Sequence, residues 1–536
     1  MNFNRASESA DMSRSSGSPT RKSKRMTAFA SIAAAVIAIP LLAACATAAA
    51  PAGSGSGDPV EGGILRVGSP TPNAIPEPVT MYDPGSINVV QQVAEYLIWS
   101  ENDGTLTPQL ADSWEPNDDG SVWTIDLRDG VLFNDGTPMT SADVVASIER
   151  LIAPDSVSAA ASAFATILTA GSVSASDDDT VVFTLDRPFA DFPYLLSSAN
   201  YNALILKEDY DGDFMASPIG TGPFLLEDYV AETSATFVPY EDYYGADEVY
   251  LDQVDMTFFT DGTAQTSALL SGSIDVAAII TFAQNQALYS SDQVEVETTS
   301  ISGGTFLAMR TDTAPWDDKL VRQALAMSLD REALLQALAG GQGEVANDHM
   351  FSPLYAQKVD VPQRELDIEG AADLLAEAGY PDGLEATLSA PQSASAYAQL
   401  IQQMAAEAGF DLTLDIQDNA TFYDTGWLDV PLGLTGWAAR PTASQFLSLA
   451  FTSDAVWNTA HWSNAEFDGL VEELQATVDE TARTEIAQEI ATLMNDEVPQ
   501  IITMWPEAGI AFSPKVQGIP VNASSYAELS HGWLEG

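Results

Sequence analysis

Imidazole and thiol chemistry have little to work with in this chain of 536 residues. The three histidines, His349, His461 and His531, stand far apart, and Cys45 is the only cysteine. A zinc site needs ligands at short fixed spacings and an iron–sulfur cluster needs several thiolates, so neither can be built locally and no internal disulfide can form. No Gly-x-Ser-x-Gly elbow, His-Glu-x-x-His helix, Walker loop or Gly-x-Gly-x-x-Gly fingerprint occurs. Carboxylates are the abundant group, with 77 Asp+Glu against 20 Lys+Arg. Among so many, some pair always stands at glycosidase spacing, so the abundance is no signal. Asp209-Tyr210-Asp211-Gly212-Asp213 has the start of a calcium loop without the bidentate Glu that would complete it, and reads as a solvated turn. Common enzyme classes lose their support, and the expectation is a chain with no catalytic residue, no metal and no cofactor.

Cations are scarce, and each one is informative. Six of the 20 Lys+Arg and two of the 77 Asp+Glu precede residue 45, leaving 14 against 75, a net charge of -61. Such a surface excludes partners that gain affinity through clustered Lys and Arg, which covers nucleic acid and docking to an anionic lipid surface. Arg440 stands out. It follows Gly433-Leu434-Thr435-Gly436-Trp437, a predicted parallel strand, and ligands of open α/β sheets bind outside the carboxyl ends of strands. Its guanidinium fork matches a carboxylate or phosphate. Trp437, Trp427, Trp457 and Trp462 surround this stretch in sequence, and aromatic faces suit variable side chains of a ligand. Arg66, Arg128, Arg150, Arg187, Arg322, Arg331 and Arg483 lie in strand, hairpin or helix contexts suited to structural pairing.

The N-terminus has the layout of a secretory signal. Arg21-Lys22-Ser23-Lys24-Arg25 precedes an uncharged run from Met26 to Ala44. The run ends in Leu42-Ala43-Ala44-Cys45, which resembles a bacterial lipobox and makes Cys45 the predicted lipidation site, with cleavage before it. An uncleaved anchor is the alternative, because the run just reaches the ~18 residues a span needs, but it is Ala-rich and contains Pro40. Ala46 to Gly57 is uncharged and rich in Ala, Gly, Ser and Pro, suiting a solvated tether.

The body must position these groups. Hydrophobic residues form 46% and charged ones 18%, so the chain folds, and its length predicts two or three lobes. Ile64 to Gly68 reads as a first strand, Trp123, Ile125 and Leu127 as a hairpin arm, Thr140 to Asp143 as a capping box, and Asp179 to Leu185 as another strand. In the second half, Val321 to Leu329 and Ala371 to Ala378 are helical, and Asp330 caps a further helix. Leu384-x-Ala386-x-Leu388, a helical pattern from Tyr397 to Ala408, and Phe410-x-Leu412-x-Leu414-x-Ile416 spell a βαβ unit with parallel strands.

From Gly62 almost to the C-terminus the chain resembles family 5 of the bacterial extracellular solute-binding proteins, the peptide- and nickel-binding group of ABC importers. The resemblance rests on Leu110-Ala111-Asp112-Ser113-Trp114-Glu115, Arg128-Asp129-Gly130-Val131, Phe133-Asn134-Asp135-Gly136-Thr137-Pro138, Gly220-Thr221-Gly222-Pro223-Phe224, Arg322-Gln323-Ala324 and Ala376-Glu377-Ala378-Gly379, in order. It implies an α/β, two-lobed periplasmic-binding-protein-like fold (type II, large cluster C type) with an extra α+β subdomain inserted in the first lobe. The implied layout is 1–44 signal peptide, 45–61 tether, 62–100, 206–303 and 503–536 lobe I, 101–205 inserted subdomain, and 304–502 lobe II. The two hinge crossings are expected near Gly303 to Met309 and Pro499 to Trp505. Many peptide-binding members carry an aspartate shortly after the Gly-Trp strand, to meet a peptide's ammonium; here that region ends in Arg440. Arg310, just past the first expected crossing, is the second candidate cation. The resemblance implies a monomeric receptor, lipid-anchored outside the cell membrane, which delivers a peptide or similar small solute to a permease with its ATPases. An oligosaccharide, an opine or a nickel chelate is the alternative cargo, and a secreted hydrolase or an adhesin the alternative class.

Overall fold

The computed structural model describes residues 58–164, 167–522 and 526–536. The expected signal peptide, Cys45 and most of the expected tether lie outside the described residues. Among the described residues no helix is long and apolar enough to cross a membrane, and no group of three or more His, Cys, Asp or Glu could hold a metal ion.

The first lobe is built on a large mixed sheet in the order Glu295–Ser300, Met504–Phe512, Val276–Ile280, Ile64–Pro70, Gln253–Phe259, Ser234–Pro239 and Phe224–Val230. Ile64–Pro70 runs parallel to both of its neighbours and contributes the fully buried Leu65 and Val67. An inserted α+β subdomain carries its own sheet, Ala111–Pro116, Val122–Leu127, Thr180–Thr184 and Val173–Ala175, all antiparallel. Trp123, Ile125, Val181 and Phe183 alternate toward its core, where they meet Val144 and Ile148 of the helix Ser141–Ile152. The expected capping residue acts as such: Thr140 N donates to the Asp143 carboxylate at 2.8 Å.

The second lobe has a five-stranded sheet in the order Phe410–Gln417, Leu384–Pro391, Leu432–Trp437, Gly304–Met309 and Gln500–Ile501. The βαβ reading is realised: Leu384 pairs with Phe410 and Pro391 with Gln417 in parallel register, and the helix Ser395–Ala406 makes the crossover. Asp318 and Asp330 cap successive helices by accepting from Leu320 N and Ala333 N. The second of these helices ends at Gly340, whose φ of +64° and close approach to the Phe282 ring exclude a side chain. Arg322, whose helix context suited structural pairing, reaches Glu497, its guanidinium donating to the Glu497 and Trp316 carbonyls at 2.7 and 2.9 Å. Residues 301–303 and 502–503 each connect a strand of the large sheet directly to one of the five-stranded sheet, and the short strand Gly343–Val345 joins the large sheet beside Met504–Pro506.

Candidate functional site

Strand direction places the site. Leu384–Pro391, Phe410–Gln417 and Leu432–Trp437 run parallel, so Pro391, Gln417 and Trp437 lie at one end of the sheet. Gly304 pairs with Trp437 at that same end, and Ile501 points toward it from the antiparallel edge strand. Both passages between the sheets therefore lie at the carboxyl ends of the parallel strands, where α/β sheets hold ligands.

Arg440 lies there, three residues beyond the strand and just ahead of the helix Ala443–Ala450. Its backbone is fixed from elsewhere in the chain: Arg440 N donates to Ser302 Oγ at 3.0 Å, and its carbonyl accepts from Ser302 Oγ at 2.9 Å and from the Tyr355 hydroxyl at 3.2 Å. The guanidinium, half-buried, donates to its neighbouring carbonyls Ala438 O and Ala439 O at 3.4 and 3.0 Å and lies 5.8 Å from the centre of the Trp457 ring. No carboxylate of the described residues stands within 4.0 Å of it, although acids outnumber cations 75 to 14 from residue 45 onward. Burial away from water lowers its pKa, opposed by Tyr201 and Tyr355. By contrast, Arg66, Arg331 and Arg483 are each committed to a buried carboxylate, Asp275, Asp348 and Asp191. A cation partly withdrawn from water without a fixed counter-charge is equipped to take an anion from outside.

The tryptophans divide. Trp427, Trp437 and Trp457 form a mutual cluster, with ring centres 5.8 Å apart for 427 and 437, and 6.3 Å for 457 with each of the other two. Trp437 is buried, and its indole Nε1 has no hydrogen-bond partner. Trp427 and Trp457 are half-buried. Trp462 is turned inward instead, 4% exposed and 4.6 Å from the Phe467 ring. Arg310 is not brought to the site. It follows the end of Gly304–Met309 opposite to Trp437, about 20 Å along the strand from Gly304. There it makes a bidentate pair with Asp312 at 2.8 Å on both branches and donates to Asp429 O at 3.2 Å. That carboxylate raises the pKa of Arg310, while Arg310 in turn holds Asp312 below the usual carboxylate range.

Sequence reasoning missed Ser302, Tyr201 and Tyr355, which come to Arg440 only through the tertiary fold. Among the described residues none of the histidines belongs to a group that could hold a metal ion. Burial pushes His349 down to about 4, so it is neutral at pH 7 despite its neighbour Asp348, and His461 is occupied by Leu428 O and Asp312.

Two α/β lobes are thus joined by short passages at 301–303 and 502–503, with Arg440 at the junction. Residues 105–458 match the family described as bacterial extracellular solute-binding proteins, family 5 Middle, and the chain belongs to that family. Among curated relatives, the heme-binding protein A of Haemophilus influenzae is 27% identical over 481 residues, covering 82% of this chain and 85% of its own. The unliganded open form of the periplasmic murein tripeptide-binding protein MppA superposes with a TM-score of 0.78 at 23% identity, covering 89% of this chain and 98% of that one. A structure of the Escherichia coli murein tripeptide-binding protein MppA gives 0.69 at 23% identity, covering 89% and 99%.

Proposed function

We propose that the chain is the substrate-binding lipoprotein of an ABC importer, which captures a peptide or similar small solute outside the cytoplasmic membrane and hands it unchanged to the permease. Arg440 carries this reading. It is a half-buried guanidinium without a carboxylate partner among the described residues, at the sheet end where the lobes join. In this proposal Arg440 holds an anionic group of the cargo, while Trp427, Trp437 and Trp457 supply apolar faces beside it. Closure of the lobes about residues 301–303 and 502–503 would then bury the cargo, and backbone groups at the strand ends would complete its hydrogen bonding. The peptide class is supported by the murein tripeptide named for a relative of the same fold. The heme-binding relative shows that the family frame also accepts other cargo chemistry. The extracytoplasmic position follows the family, and the lipid anchor would be carried by Cys45.

Native mass spectrometry of the protein purified from its host identifies a retained cargo, and calorimetry with that cargo then compares wild type with Arg440→Ala. Loss of one partner of a desolvated charge pair costs ~2 to 5 kcal/mol, so affinity should fall ~30-fold or more. Lysine should rescue poorly, lacking the planar fork. Equal affinities would remove Arg440 from the site, and conversion of the cargo would replace the receptor by a hydrolase.

A further inference from the structure

The first lobe has a cavity of about 40 Å³ at the end of the large sheet where Phe224–Val230 begins. It lies between the residues that follow the helix Pro84–Val90 and the C-terminal segment, and Gln91, Gln92, Glu95, Gln109, Tyr243 and Glu528 are among its walls. The two sides are tied beside it. Gln91 Nε2 and Gln92 Nε2 donate to Ala527 O at 3.4 and 3.0 Å, and Ala527 N donates to Asn88 Oδ1 at 2.9 Å.

Glu95 is 3% exposed, and its two oxygens are served unequally. Oε1 accepts from the hydroxyls of Tyr243 and Tyr244 at 2.9 and 2.8 Å, and from Gln109 Nε2 at 3.5 Å. Oε2 has no partner. Thr221 stands near enough for its hydroxyl to lower the Glu95 pKa, yet Thr221 Oγ1 has no partner at bonding geometry either. Gln91 spends its amide nitrogen on Ala527 O, and its Oε1 is likewise without a partner. From the C-terminal segment comes Glu528, its side chain 27% exposed and paired loosely, with His531 Nε2 at 3.9 Å. Burial raises the Glu528 pKa, His531 opposes, and the charges of Glu101 and Glu95 add to the rise. Arg128, the cation that lowers the Glu95 pKa, lies 4.8 Å from the centre of the Tyr244 ring and does not line the cavity.

A carboxylate only accepts, and burying one of its oxygens without a donor is costly. Two acids and a spare amide oxygen around one cavity call for positive charge, and its volume admits only something of the size of one or a few waters. We propose that this cavity binds a small monovalent cation, an alkali ion or ammonium, through Glu95 Oε2, Gln91 Oε1 and the Glu528 carboxylate, and that the ion fastens the C-terminal segment to the first lobe. Hard cations take oxygen ligands. Among the described residues no group of three or more acids, histidines or cysteines could hold a metal ion, whereas two carboxylates and an amide oxygen suit a single charge. The ion holds Glu95 and Glu528, which otherwise repel each other, to one shared charge. The inference is independent of what Arg440 holds.

Thermal unfolding of the cargo-free full-length chain tests this at about pH 8, above the value of about 7 to which burial pushes Glu95. The salts are sodium, potassium, ammonium and tetramethylammonium chloride at one ionic strength, the last cation being too large for the cavity and supplying the baseline. At least one small cation should raise the midpoint saturably, by about 2 °C or more at about 100-fold above its dissociation constant. Which one does so tells an alkali ion from ammonium. Glu95→Gln and Glu528→Gln, each removing one charge, should lose that rise while still unfolding cooperatively. If Glu95→Gln fails to fold, Glu528→Gln decides alone. Equal midpoints in every salt, or a rise kept in full by Glu528→Gln, would make the cavity a site for water and overturn the proposal.

Discussion

The hydroxyl of Ser302 holds both backbone polar groups of Arg440, accepting from its N–H at 3.0 Å and donating to its carbonyl at 2.9 Å. Ser302 is fully buried and belongs to the first passage between the lobes. The segment about which the lobes would close in the proposed function therefore also fixes the point from which the Arg440 side chain departs. Ser302→Ala strands a buried N–H and leaves the carbonyl with Tyr355 alone, at a cost of ~1 to 2 kcal/mol. Cargo affinity should fall ~10-fold, measured by calorimetry, while Ser302→Thr, which keeps the hydroxyl, should recover most of it. Equal affinity for Ser302→Ala would show that Arg440 is positioned without it.

In the proposed function the division among the tryptophans separates binding from packing. Trp462→Ala empties a core position beside Phe467 and should cost ~3 to 5 kcal/mol of stability. Trp427→Ala, on a half-buried ring of the cluster next to Arg440, should cost less stability and weaken cargo binding. Urea unfolding and calorimetry on the pair test this, and an affinity loss confined to Trp462→Ala would reverse the assignment.

Glu95 offers a pH test. It is 3% exposed and accepts from the Tyr243 and Tyr244 hydroxyls at 2.9 and 2.8 Å. Burial nevertheless pushes its pKa up from 4.5 to about 7, the tyrosines opposing. Between those values the folded chain holds a proton that the unfolded chain has released, so this group's contribution to stability falls as pH rises. Glu95→Gln removes the effect. The stability of the variant relative to wild type should improve by about 3 kcal/mol between about pH 4 and pH 8. A difference independent of pH, by urea unfolding, would contradict the shifted titration.

Cys45 lies outside the described residues, so its test is biochemical. Cys45→Ser should release the protein from membranes or leave the leader uncut, read by fractionation and the N-terminal mass. Normal cleavage with unchanged membrane retention would contradict lipidation, since the chain has one cysteine.

What was legible in the sequence was whatever local periodicity encodes. Leu384-x-Ala386-x-Leu388 and Phe410-x-Leu412-x-Leu414 alternate because one set of side chains faces the core, and the helical spacing between them forced parallel pairing. Arg440 stands out in the sequence by the scarcity of cations and by its place after a strand, and the structure sets its backbone against Ser302 of the first passage. Arg310 misled because it is close to the passage in sequence, while a six-residue strand carries it to the far end of the sheet. Trp457 and Trp462 are chemically identical and five positions apart, and only packing turns one toward Arg440 and the other onto Phe467. Tyr355, 85 residues before Arg440, carries no local mark of the carbonyl it meets.

The strand Met504–Phe512 sits inside the first lobe's sheet, between Val276–Ile280 and Glu295–Ser300, and pairs antiparallel with both. Synthesis delivers that strand after all the others of its sheet, and only once the entire second lobe has emerged. Until then the strands on either side of the gap present unpaired edges, which are templates for association with other chains. The first lobe is thus unable to finish folding on the ribosome ahead of the second. A nascent chain thus carries an incomplete first-lobe sheet until its last few dozen residues are made, although the inserted subdomain, whose own sheet ends at Thr184, has all its strands early.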